Sequence, residues 1–265
     1  MILRELISEI ENFAPLHYQE SYDNSGLLVG NPDLTVIAAL LTLDVTEDVV
    51  EEAISKGCNL IIAHHPIIFS GLKKLNGKNY VERSVIKAIK NDIAVYASHT
   101  NLDNVNGGVN FKIAEKLKLQ NVAILSPKKQ QLENSNFVGG GAVGDLETPI
   151  KTTDFLSYLK KNLEVSVIRH TDLLSEKISK VAVCGGSGSF MLQDAIAAGA
   201  DIFITADFKY HEFFDAEDKI IIADIGHFES EQFTKELLQD IICQKFPNFA
   251  TYLSEVNTNP IQYFY

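Results

Sequence analysis

Short apolar runs rich in Val, Ile, Leu and Ala alternate along the chain with segments whose apolar positions recur at helical spacing. VIAALLTL (36–43), NLIIA (59–63) and IAVYAS (93–98) read as strands, and segments 47–56, 80–91 and 108–118 read as helices. The second half repeats the pattern, with strands at SKVAVC (179–184), DIFIT (201–205) and KIIIAD (219–224) and helices at 189–199 and 229–243. Runs apolar at nearly every position belong to strands covered on both faces, so the pattern predicts an α/β fold. The polar stretch LSPKKQQLE (125–133) breaks the periodicity at Pro127 and marks a join between two lobes, 1–125 and 126–265. The part from about 225 onward is a candidate for packing back on the first lobe.

The halves read as an internal duplication. At an offset of 142, AISKGCNLIIA (53–63) lies on AIAAGADIFIT (195–205), sharing Ala, Ile, Gly and Ile, and VIAALLTL falls on ISKVAVCG. Ligands of open α/β sheets collect at the carboxyl ends of strands, so two related lobes are expected to set such ends around one cleft.

Composition narrows the chemistry. Among 265 residues, Lys and Arg number 23 and Asp and Glu 35, a formal charge of −12, which disfavours nonspecific binding to nucleic acid or an anionic membrane. The three cysteines (Cys58, Cys184, Cys243) form no CxxC pair, which argues against a disulfide framework, a thiolate zinc site or an iron–sulfur cluster. The opening MILRELISEIENF carries acid and reads as an amphipathic helix rather than a signal peptide, and VIAALLTL is far too short to span a membrane. A soluble cytoplasmic protein is the expectation.

Any metal must therefore be held by histidines and carboxylates. Of the seven histidines, four stand at or just after strand ends. His64 and His65 follow NLIIA, where Pro66 ends the strand, and two neighbouring imidazoles suit two neighbouring ions. His99 precedes Asp103 by four, and His227 precedes Glu231 by four; shifted by 128, one pair overlies the other. On a helical turn such pairs share a face, as metal ligands need. Mixed nitrogen and oxygen ligands suit Zn²⁺, Mn²⁺, Fe²⁺ or Ni²⁺. His99 is assigned to orienting a ligand or shuttling a proton, and Asp207 and His211, in TADFKYHEFFDA, are candidate acid/base or supporting residues. The loop AVCGGSGSF (182–190) admits either a phosphate cradle or a plain tight turn, and FVGGGAVGDL (137–146) reads as a closely packed, glycine-marked strand.

SYDNSGLLVG (21–30), AHHPIIF (63–69), SHTNLDNVNGGVN (98–110), TADFKYHE, GHFESE and TNPIQYF (258–264) together resemble the GTP cyclohydrolase 1 type 2 family, also called dinuclear metal center proteins, over essentially the whole chain. The resemblance implies two related α/β lobes, a ring-shaped homohexamer and a two-metal site in a cleft between lobes. It implies His64, His65, Asp103, His227 and Glu231 as ligands, Glu231 as bridge, and His99 outside the ligand set. Relatives often carry glycine where Ala206 stands and a histidine where Glu212 stands. The expected activity is metal-dependent hydrolysis of a nucleotide ring or related small-molecule substrate, with His99, Asp207 or His211 moving protons. The alternative is a metal-binding regulatory or scaffold protein without catalysis. A nuclease or DNA-ring function is disfavoured by the acidic charge.

Overall fold

In a computed structural model of the chain, residues 1–128 and 138–264 are described. In chain order the first elements are α1 (Leu3–Phe13), β1 (Gly26–Val29), β2 (Ala38–Thr42), α2 (Glu47–Ser55), β3 (Leu60–Ala63), α3 (Tyr80–Lys90), β4 (Ala94–Ala97), α4 (Thr100–Asp103), α5 (Val109–Lys116) and β5 (Gln120–Pro127). They are followed by β6 (Gly139–Lys151), α6 (Thr152–Asn162), β7 (Arg169–His170), β8 (Lys177–Ser187), α7 (Leu192–Ala197), β9 (Ile202–Ala206), β10 (Ile221–Asp224), α8 (His227–Glu231), α9 (Thr234–Lys245) and β11 (Ala250–Leu253). Helices α2 and α3 start where the sequence supplies a side-chain cap. Thr46 accepts the Val49 N–H at the start of α2, and Asn79 accepts the Glu82 N–H at the start of α3, whose last turn carries Lys87 and Lys90 against the helix dipole. In α1 the buried Leu3, Leu6, Ile7 and Ile10 make one apolar stripe.

The chain forms two compact units. The first comprises Met1–Leu102 and Thr234–Pro260, the second Asp103–Phe233 and the residues from Ile261. The crossing thus falls at Leu102/Asp103 rather than near residue 125, and the returning segment begins at Thr234. Leu125–Pro127 belong to β5, an edge strand paired with β6, where a proline's missing N–H costs no ladder bond. Residues 129–133 of the expected join, and Phe137 of the glycine-marked strand, lie outside the described residues; from Gly139 that segment is strand β6. The helix expected over 229–243 is two helices, α8 and α9, and the one expected over 189–199 is a 3-10 turn followed by α7.

The first unit has a five-stranded sheet of order β1-β4-β3-β2-β11, the second a six-stranded sheet of order β5-β6-β8-β9-β10-β7. In the first, Leu40, Ile61 and Val95 lie abreast on one face and pack with Val49, Val50, Ala53, Val85 and Ala88 of α2 and α3. The alternate residues Leu41, Ile62 and Tyr96 are buried on the opposite face. In the second, Ala182, Phe203 and Ile222 lie abreast and pack with Leu192 and Ala195 of α7. Burial on both faces explains why these strands read as continuous apolar runs.

The two units repeat one plan. Three parallel strands, β2-β3-β4 and β8-β9-β10, each end in an antiparallel edge strand, β1 on β4 and β7 on β10. Ala39 pairs with Leu60 in the first and Val181 with Ile202 in the second, and both differences, 181 − 39 and 202 − 60, equal 142. Leu60 faces Ala94 and Ile202 faces Ile221, an offset of 221 − 94 = 127 for the third strand. That is one less than the shift aligning His99 with His227. The extra residue lies in the turn before α8, where Gly226 has φ +94°. Among the described residues no helix is long and apolar enough to cross a membrane.

Glu52 on α2 ties down the returning segment after β11. Its carboxylate accepts the Ser254 hydroxyl and the Glu255 N–H and lies 3.0 Å from Lys56 Nζ. Burial alone would raise its pKa, but these donors more than offset that and hold it below the ordinary 4.5. A group so lowered contributes stability that is complete above pH 4.5 and lost as pH falls through the folded-state value. Thermal melts are expected to show wild type more stable than Glu52→Gln at neutral pH, with the difference closing below pH 4.5.

Candidate metal centre

In the first unit β3 ends at Ala63, and the next two amides still donate to the neighbouring strand, His64 N–H to Thr42 O and His65 N–H to Leu43 O. With the strand ending there, both rings come together instead of diverging. Their centroids are 4.9 Å apart, and the ring of His99, just past β4, lies 5.2 Å from His64 and 5.3 Å from His65. The three residues each offer a nitrogen within 4.8 Å of the others. His99, expected only to support a ligand or move a proton, therefore stands inside this imidazole cluster.

Each ring is held from behind. His64 Nδ1 donates to the Ser98 carbonyl at 2.9 Å, His65 Nδ1 to Asp44 at 2.8 Å and His99 Nδ1 to Asp23 at 2.8 Å. A carbonyl or carboxylate can only accept, so Nδ1 carries the proton and Nε2 is the basic nitrogen. Asp44 also accepts the Thr258 hydroxyl at 2.6 Å, and Asp23 accepts the Thr100 N–H and hydroxyl. Burial would raise both carboxyls, yet their hydrogen bonds, led by those from the histidines, hold Asp23 well below the usual carboxylate range and lower Asp44.

The second unit carries Asp103, His227 and Glu231. On α8 the spacing of four brings His227 Nε2 to 3.1 Å from Glu231 Oε2, as sequence spacing predicted. Carboxylate oxygens of Asp103 and Glu231 lie within 4.8 Å of each other. His227 Nδ1 donates to Asp207 at 2.6 Å, and the same Asp207 oxygen accepts the Ser187 hydroxyl. Asp207, at the end of β9, has φ +59°, a left-handed backbone rare outside glycine, and this turn accompanies its bond to His227. Burial would raise its carboxyl, but His227 and Ser187 lower it. His211 stands instead on the exposed 3-10 segment Tyr210–Ala216, stacked against Phe214 with an interplanar angle of 29°.

The glycine loop after Cys184 serves Glu231. Gly186 has φ +64°, and a Cβ there would lie 2.4 Å from Glu231 Oε1. Gly185 N–H donates to Asn110 and Gly186 N–H to Ser230, both at 2.9 Å. These amides are committed internally, so the loop is not a phosphate cradle there. Burial, then the charges of Asp103 and Glu231, push the Cys184 thiol well above its ordinary pKa, keeping it a thiol rather than a thiolate ligand.

Four imidazoles with Nδ1 fixed to oxygen, together with two buried or partly buried carboxylates, are the nitrogen and oxygen donors that first-row divalent ions prefer. Asp23, Asp44, Ser187 and Thr258 were not singled out by sequence. Asp23 and Thr258 fall inside family-like motifs, but they act on partners 76 and 214 residues away, with no periodic spacing to reveal them.

The DUF34/NIF3 (NGG1p interacting factor 3) family model matches residues 1–260. The chain belongs to the DUF34/NIF3 family. Among the relatives, a Clostridium perfringens protein named GTP cyclohydrolase 1 type 2 homolog is 37% identical over 232 residues, 87% of each chain. A Campylobacter jejuni protein of the same name is 31% identical over the full length of both. The solved structure of a Bacillus cereus protein related to NIF3 matches with a TM-score of 0.92 at 28% identity, covering 100% of this chain and 99% of that one. The mixed α/β fold with two sheets is thus the DUF34/NIF3 fold, and the chain carries His, Asp and Glu groups able to hold metal.

Gly186→Ala tests the support of Glu231. A Cβ in a left-handed backbone costs about 1–2 kcal/mol, and here it also displaces the carboxylate. Zinc titration against a competing chelator is expected to show affinity at least about tenfold weaker than wild type.

Proposed function

We propose that the protein holds two divalent metal ions and hydrolyses a nucleotide ring or related substrate, as the GTP cyclohydrolase 1 type 2 resemblance implies. The observation that carries this is the bonding of His64, His65, His99 and His227, each with Nδ1 committed to an oxygen acceptor. Such bonding fixes the tautomer and raises the basicity of Nε2. In this proposal His64, His65, Asp103, His227 and Glu231 would hold the ions. Zn, Mn, Fe and Ni all suit this donor set.

Bound divalent ions supply Lewis acidity, which makes water a nucleophile near neutral pH and polarises a substrate oxygen. The protein's own groups do the rest. His99, braced by Asp23, moves a proton through Nε2. Asp207 accepts the Nδ1 proton of His227, which orients the ring and keeps Nε2 basic. The Gly186 loop fixes the Glu231 carboxylate. His211, on the exposed 3-10 segment, is given no step in this proposal. Assembly as a ring-shaped homohexamer, read by light scattering, belongs to the same proposal.

Elemental analysis of protein purified without chelator is expected to give two ions per chain, and His64→Ala and Asp103→Ala are expected to lose metal and turnover together. Metal-loaded wild type with no turnover on a nucleotide and phosphoester panel would instead leave a metal-binding protein without catalysis.

A further inference from the structure

Beside the imidazole cluster of the first unit, two large aromatic rings stand in solvent. Tyr22 is 63% exposed and Phe69 51%. Scattered apolar residues on a surface need no explanation, but these two are neighbours, their centroids 6.3 Å apart. The Phe69 ring in turn lies 6.3 Å from that of His99, edge to face at 73°. With His64 and His65 packed beside His99, aromatic rings run at contact spacing from the surface to the cluster. Exposure falls along this run, to 17% for the His99 side chain and to a fully buried His64.

The backbone beneath both rings is pinned. Tyr22 precedes Asp23, whose side chain is completely buried and accepts from His99 Nδ1 and from the Thr100 N–H and hydroxyl. On one side of Tyr22 the Glu20 N–H donates to the Thr100 hydroxyl at 2.9 Å, and on the other the His99 N–H donates to the Ser25 hydroxyl at 3.2 Å. Asn24 Nδ2 donates to the carbonyl of Ile68, the residue before Phe69. The bonds that fix His99 therefore also fix the chain segments on which the two exposed rings stand. A ligand meeting segments already held has little backbone left to order.

We infer that Tyr22 and Phe69 form the platform on which the heteroaromatic ring of the substrate stacks, with its reacting edge toward the imidazoles. A flat π-surface favours a flat ligand, and every nucleobase has such a face. The inference rests on the reading of the imidazoles as the reaction centre, whereas the stacking itself needs neither metal nor turnover.

The test is calorimetry of guanosine, with ribose as the comparison that lacks the ring, on metal-loaded full-length protein and on the same protein after chelation. Guanosine is expected to bind in both states and ribose in neither. Phe69→Ala and Phe69→Leu are each expected to weaken guanosine binding about tenfold, because leucine restores apolar bulk without a π-face, while Phe69→Tyr stays close to wild type. Tyr22→Ala, at the more exposed position, is expected to weaken binding as well. Metal content and the number of subunits are expected to be unchanged in all four variants. Binding that depends on Phe69 in protein without any turnover would leave the platform standing and remove the hydrolase reading. Four results would overturn the platform: guanosine failing to bind below about 1 mM, Phe69→Leu and Tyr22→Ala binding like wild type, loss of metal in Phe69→Ala, or a changed number of subunits, which would mean that a second copy covers the rings.

Discussion

An imidazole has two nitrogens in a fixed relation, so holding one determines what the other can do. The bond at Nδ1 selects the tautomer, stops the ring from turning and leaves Nε2 as the basic atom. The local architecture around His64, His65, His99 and His227 follows from meeting this requirement four times. One acceptor is a backbone carbonyl at a strand end, and three are carboxylates brought in from loops. The carboxylates in turn need donors of their own, which is why Thr100, Ser187 and Thr258 stand where they do. Remove the acceptor and a ring gains rotational freedom that binding must then take away.

The duplication shows how one fold position can meet this requirement from either side. His65 follows β3 as Asp207 follows β9, at the same offset of 142 that relates the strands. In the first unit that position supplies an imidazole, held by Asp44. In the second it supplies the carboxylate that holds His227. The same position after a strand is used in both halves, while the identity of the side chain decides whether it grips or braces.

The parallel core was legible because strands buried on both faces leave uninterrupted apolar runs, and the repeat was legible because β2 and β3 kept their register in β8 and β9. Edge strands were harder to see. β7 is two exposed residues and β11 alternates, so neither leaves a run. The chain crossing at Leu102/Asp103 left no mark either, since it falls within a short helix and not in a polar linker. The pairing of His227 with Glu231 was readable from helical geometry alone. The bracing bonds of Asp23, Asp44 and Thr258 were not, because they join residues whose separation obeys no period. Nor did the sequence decide between the two uses of the glycine loop; that needed the positions of Asn110, Ser230 and Glu231.

Thr258 donates to a carboxylate made 214 residues before it. At about 5–20 residues per second, a ribosome takes roughly 10–40 s to cover that distance. For most of that interval Asp44, His64 and His65 already exist in the nascent chain, but the second support of Asp44 does not, and neither does the Ser254–Glu255 latch on Glu52. The imidazole cluster therefore cannot gain its last support until the C-terminal segment is made, so translation itself imposes an order on the site.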